Sequence, residues 1–142
     1  MLAVVGRPLS DDELSTVTGH GAERVRGALG ELVGAALARP TGDGLCTLRH
    51  ALLGEAIEAS LFVGERVELH GAAAGLLLDR ADPSLAAEAA HHLRRAGRER
   101  EELPVRIAAA EYSTQVSGFA EAALYFPPGG RSATPTSVAV ST

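Results

Sequence analysis

Lysine, asparagine and tryptophan are absent from this sequence, and cysteine and methionine occur once each. Without lysine there is no G-x-x-x-x-G-K-[ST] loop, so the phosphate cradle of a P-loop ATPase and its magnesium ligand are missing. A single cysteine, Cys46, excludes an intrachain disulfide and points to a reducing cytoplasm. No basic, apolar leader opens the chain and no apolar run reaches membrane-spanning length, so a soluble cytoplasmic protein with no membrane partner is expected. Aromatic residues make up only 4% of the chain while hydrophobic residues reach 46%, so the core must be built from Ala, Leu and Val, which favours packed helices.

Cations are in the minority. The formal charge is −5, and affinity for nucleic acid comes largely from clustered Arg and Lys that neutralise phosphates. A freestanding DNA-binding protein is therefore disfavoured on charge.

Hydrophobic patterning divides the 142 residues into three stretches. In the first, residues 1–61, "MLAVVGRPL" reads as the end of an apolar helix followed by a turn at Gly6-Arg7-Pro8. Ser10-Asp11-Asp12-Glu13 is a capping box that starts a helix running to about Val17, ended by Thr18-Gly19. Val25, Ala28, Leu29, Leu32, Val33 and Ala36 recur at helical spacing and predict a second helix facing a core. Residues 37–40 and 45–48 flank Thr41-Gly42-Asp43-Gly44, a hairpin turn signal. A helix-turn-helix followed by a hairpin is the order of a winged helix.

From residue 62 to 126 the pattern is helical throughout, with helices expected at about 65–79, 83–96 and 104–116 after one at 50–61. A further segment of repeat type is expected around Gly118–Phe126. Asp82-Pro83 supplies a cap with Pro at the first helical position, and Gly97 a stop. Residues 127–142, dense in Pro, Gly, Ser and Thr, predict a disordered tail. The fold class expected is mainly α: a winged helix-turn-helix with a small β-hairpin, then antiparallel helical hairpins of tetratricopeptide type.

The strings "AVVGRPLSDDEL", "ERVRGALGELVGAALARPTGDGLCTLRHALLGEAIEASLFVGERVELH" and "DPSLAAEAAHHLRRAGR" resemble the region just after the ATPase core in bacterial LuxR-type transcriptional regulators of the STAND class. In that family an AAA-like nucleotide-binding module precedes a winged helix and tetratricopeptide-like repeats. The resemblance covers roughly residues 1–126 and implies an internal fragment of such a regulator. It further implies that His50, opening the helix after the hairpin, contacts the β-phosphate of ADP held on the ATPase module, with Arg49 assisting. Physical chemistry agrees, since a helix N-terminus offers free amides and partial positive charge to an anion. The implied partners are that module in cis and a protein effector. ATP and ADP belong to the parent protein, and this chain alone carries no cofactor.

Other chemistries find no support. His20, Cys46, His50, His70, His91 and His92 show neither C-x-x-C nor H-x-x-x-H spacing, so no metal ligand is assigned. His91 and His92 point about 100° apart on a helix, so one is expected to pack and the other to face solvent. Cys46 lies among apolar neighbours where a thiol is inert, and Ser and Asp residues sit in caps and turns. No catalytic residue is assigned and the chain is read as no enzyme.

The alternative reading is a self-standing winged-helix DNA-binding regulator. Its recognition helix would carry Arg24 and Arg26 against Glu23 and Glu31, which leaves no net charge for phosphates. The charges of residues 94–102 alternate in sign and read as a solvated, balanced face. Gly27, Gly30 and Gly34 each cost the second helix roughly 1 kcal/mol relative to Ala, so marginal stability is expected.

Overall fold

Each early element forms where its cap dictates. A computed structural model describes residues 1–125, and the expected tail at 127–142 lies outside them. Helix α1 (Leu2–Val5) ends at Gly6, whose positive φ of 69° is the left-handed stop the sequence announced. Helix α2 (Asp11–Thr18) starts in the expected capping box. The Glu13 amide donates to Ser10 Oγ at 3.2 Å, and the Ser10 amide donates to Glu13 Oε2 at 2.8 Å. Gly19, again left-handed, closes it.

Helix α3 (Ala22–Gly34) leads into a two-stranded antiparallel sheet, β1 (Ala38–Pro40) with β2 (Cys46–Leu48), in the register Ala38 opposite Leu48. Gly44, at φ 72°, turns the hairpin. Leu9 adds a bridge to Cys46, the two amides exchanging hydrogen bonds of 3.0 and 2.8 Å, so the chain entering α2 is stitched to the hairpin.

Helix α4 (Ala51–Ser60) follows directly, then α5 (Val63–Asp79), a single 3-10 turn at Pro83–Leu85, α6 (Ala86–Arg95) and α7 (Glu99–Tyr125). The molecule is mainly helical, as composition required. Asp82 caps the 3-10 turn by accepting from the Ser84 amide, with Pro83 at its first position.

Three expectations need correction. The helix expected at 104–116 begins at Glu99, and Pro104 lies inside it. Only one backbone bond is forfeited there, because Pro lacks an N–H to give the Arg100 carbonyl. The acidic first turn, Glu99, Glu101 and Glu102, complements the helix dipole. No break separates it from the segment at Gly118; α7 runs on continuously to Tyr125.

The second correction concerns α3. Of its six apolar positions only Val25 is buried; Leu29, Leu32 and Val33 are half-covered, and Ala28 and Ala36 are exposed. Leu29, Leu32 and Val33 do pack against the main core beside Val25, and Val25, Ala28, Leu29 and Leu32 also wall an open apolar groove of about 430 Å³, shared with Met1, Leu2, Leu14, Leu48 and Ile57. Ala36 lies beyond the helix in the left-handed region at φ 58°, where the chain reverses into β1.

The third concerns the charged segment 94–102. It is balanced in sign but not wholly solvated, because Glu102 is buried and accepts from Arg94 at 3.3 Å.

The main core joins both halves of the chain. Leu2, Val4, Val5, Leu9, Leu14, Val25, Ala38 and Cys46 pack with Ala73 and Leu76 of α5. A smaller cluster of Leu77, Leu85 and Ala89 seats Val105 of α7. Two ion pairs reinforce the joint, Arg7 to Glu88 at 2.7 Å and Arg80 to Glu13 at 2.5 Å.

Candidate functional site

Arg49 and His50 stand where β2 hands the chain to α4. The Arg49 amide donates to the Leu37 carbonyl at 3.0 Å, one step beyond the β1–β2 pairing, and this pins the approach to the helix. His50 is the N-cap residue, extended at φ −132° and ψ 130°, and its carbonyl accepts from the Leu53 amide at 3.1 Å. Its imidazole makes no cap hydrogen bond. Both side chains are exposed.

Electrostatically this helix start is uncompensated. A Ser, Thr, Asp or Asn at the cap would accept from the first-turn amides, and an acid in the first turn would balance the dipole. Helix α4 has neither. The donor set of Arg49 guanidinium, His50 imidazole and first-turn amides fits a phosphate, and Leu52, also exposed, stands beside it.

A second constellation, which sequence reading missed, lies at the far end of α4. The imidazoles of His70 on α5 and His92 on α6 are both buried, with their Nδ1 atoms 2.8 Å apart. His70 Nε2 lies 3.2 Å from Glu58 Oε1 on α4, and the Arg95 guanidinium donates to that same oxygen at 2.5 Å.

The shorter Glu58 contact favours one arrangement of the protons. A carboxylate only accepts, so His70 Nε2 carries the hydrogen that points to Glu58. His70 Nδ1 is then the acceptor, and His92 Nδ1 is the donor between the rings. Arg95 Nε also donates toward His70 Nε2 at 3.4 Å, a longer contact than the 3.2 Å to Glu58, while Arg95 Nη2 donates to Glu58 Oε1.

Burial lowers the pKa of both rings. His92 is pushed down to about 4 by burial, helped by the neighbouring His70 and His91. His70 is lowered by burial, against the pull of Glu58. For Glu58 burial acts upward, but hydrogen bonds from Arg95 and His70 outweigh it and hold the carboxyl below its usual range.

The sequence did contain a signal for this cluster. His70 lies one turn before Ala73 and two before Leu77 on the apolar stripe of α5, and His92 follows Ala89 by three on α6. A polar ring on a buried face needs a partner, and two such rings on neighbouring helices supply each other. His92 packs while His91 is exposed, as their angular separation required.

Cys46 is buried in β2 with its thiol pushed up by burial, which suits packing rather than reaction. His20 lies apart from these clusters, at the edge of the apolar groove. Among the described residues no group of three or more His, Cys, Asp or Glu side chains is arranged to hold a metal ion, and no helix is long and apolar enough to cross a membrane.

No protein-family model, curated protein or solved structure significantly matches the chain.

Proposed function

We propose that this chain is the winged-helix and helical-repeat segment of a STAND-class LuxR-type regulator, acting without catalysis of its own as a nucleotide-state clamp and signal-integration scaffold. In this reading α2, α3 and the β1–β2 hairpin form the winged helix, and α5 to α7 begin the tetratricopeptide-like repeats. The observation that carries it is the uncompensated start of α4, with Arg49 and His50 both exposed and no acid or side-chain cap of its own. Such a surface is half of an anion site. An AAA-like module in the same parent protein would bring ADP, and Arg49 and His50 would hold its phosphate edge until ATP and a protein effector displaced the clamp.

The site's own contribution is binding and orientation. The Leu37 hydrogen bond holds the Arg49 backbone, and His50 occupies the cap position next to the first-turn amides. In this reading these donors meet one oxygen-rich group through charge-assisted hydrogen bonds.

Pyrophosphate titrated into isotopically labelled chain is the direct probe of the half-site. Weak binding is expected to move the backbone amide resonances of residues 49–52 and little else, and His50→Ala with Arg49→Ala should abolish the response. Unmoved resonances at those positions would remove the basis of the proposal. A gel shift with mixed duplex DNA at low salt separates it from a DNA-binding regulator. No shift is expected, because the α3 arginines are few and Arg26 already faces Asp11 at 3.6 Å. Retardation at micromolar protein would favour the DNA-binding alternative instead.

A further inference from the structure

We infer that the buried His70–His92 pair is an acid-sensitive latch between α5 and α6, tied through Glu58 to α4, which holds at neutral pH and releases on protonation. It does not depend on the nucleotide reading. One hydrogen lies between the two facing nitrogens, 2.8 Å apart. A proton added to His70 Nδ1 sets two N–H groups against each other, so the contact breaks or one ring must turn within a packed site.

Among the described residues Glu58 is the one acid hydrogen-bonded to the pair. From α4 comes Glu58, already shared by His70 and Arg95. From α6 come Arg95 and His91, the latter exposed with its ring 5.5 Å from that of His92 and 6.4 Å from that of His70. Arg98, in the turn after α6, approaches Gly71 of α5. On α7, Glu101 is paired with Arg98, and the buried Glu102 is engaged by Arg94 and Arg106. Glu55 of α4 and Arg66 of α5 line one cleft with Glu58 and Arg95, and the two acids balance the two arginines, so each proton added to the rings raises a net positive charge inside the joint.

The direction of the pH effect follows by linkage. Both imidazoles titrate lower in the folded chain than when unfolded, where an imidazole has a pKa of about 6.5. The stability they contribute is complete above that value and is lost as pH falls toward the folded value. The lowered carboxylates Glu13 and Glu58 give up their contribution only below about 4.5, the ordinary Glu value. The Met1 α-amino group is also held below its ordinary value of 8.0 by burial, so the histidines' share of the loss between pH 7 and 5 is the part that His92→Gln removes.

The packing makes the latch local. It spans α4, α5 and α6, whereas the Glu13–Arg80 and Arg7–Glu88 pairs hold the other side of the helical half without any histidine. Release should therefore loosen the region around His70 and His92 first.

Thermal unfolding followed by circular dichroism between pH 7.5 and 5.0 tests this, comparing the native chain with His92→Gln. A glutamine amide can donate to His70 Nδ1 but does not titrate. The native midpoint should fall by about 5 °C or more over that interval, and the variant's midpoint should fall by clearly less. Equal slopes would overturn the inference. A second readout needs no variant: long-range proton–nitrogen correlation at pH 7.5 should show His70 protonated on Nε2 and His92 on Nδ1. His92 protonated on Nε2 alone would also overturn it.

Discussion

Ala36 and Gly97 occupy equivalent places after two helices, and only one of them suits its residue. After α6 the Arg98 amide donates to Leu93 and Gly97 to Arg94, with Gly97 at φ 69°. After α3 the Leu37 amide donates to Leu32 and Ala36 to Val33, with Ala36 at φ 58°. A Cβ in the left-handed region costs roughly 1 kcal/mol, so Ala36→Gly should raise the unfolding free energy by about that amount, read from chemical denaturation. An unchanged or lowered midpoint would refute the assignment. The sequence announced Gly97 as a stop, whereas Gly34, two residues before Ala36, obscured where α3 ends.

The same residue type has opposite meanings in two helices. In α3, Gly27 and Gly30 have nothing within 4 Å of where a Cβ would sit, so they loosen the helix without serving a contact. In α4, Gly54 is buried against α1, where an added Cβ would stand 3.3 Å from the Ala3 carbonyl oxygen. Gly27→Ala and Gly30→Ala should each stabilise by roughly 1 kcal/mol, and Gly54→Ala should forfeit that gain or reverse it. A comparable gain at all three positions, measured by the same denaturation midpoints, would contradict the close α1–α4 approach.

The elements themselves were legible where local chemistry decides them: the Ser10–Glu13 box, the Gly6 and Gly19 stops, the hairpin turn and the Asp82-Pro83 start. Where tertiary packing decides, periodicity gave the face but not its depth. The α3 stripe does face the core through Val25, Leu29, Leu32 and Val33, but only Val25 is buried and part of the stripe borders an open groove. Pro104 was read as a helix start, but an acidic first turn and the seat for Val105 let α7 begin earlier.

At the scale of the whole molecule, the halves that composition and pattern separate near residue 61 share a core through Ala73 and Leu76 and are tied by Arg7–Glu88 and Glu13–Arg80. The Glu58–His70–His92 chain is a third tie, and long-range pairing of this kind is invisible to a local reading. Arg49 and His50 were singled out from sequence, and the structure places both in the open at the start of a helix with no other compensation. The inferred latch at one end of α4 and the proposed anion-binding start at the other would make that helix the link between the proposed nucleotide contact and helices α5 to α7.

The proposed clamp is tested most directly in a full-length regulator that carries this segment after its ATPase module, by measuring ADP retained through gel filtration in the native protein and in His50→Ala. The clamp predicts that the native protein keeps its ADP while the variant loses most of it and gains basal activity. Equal retention with unchanged basal activity would contradict it.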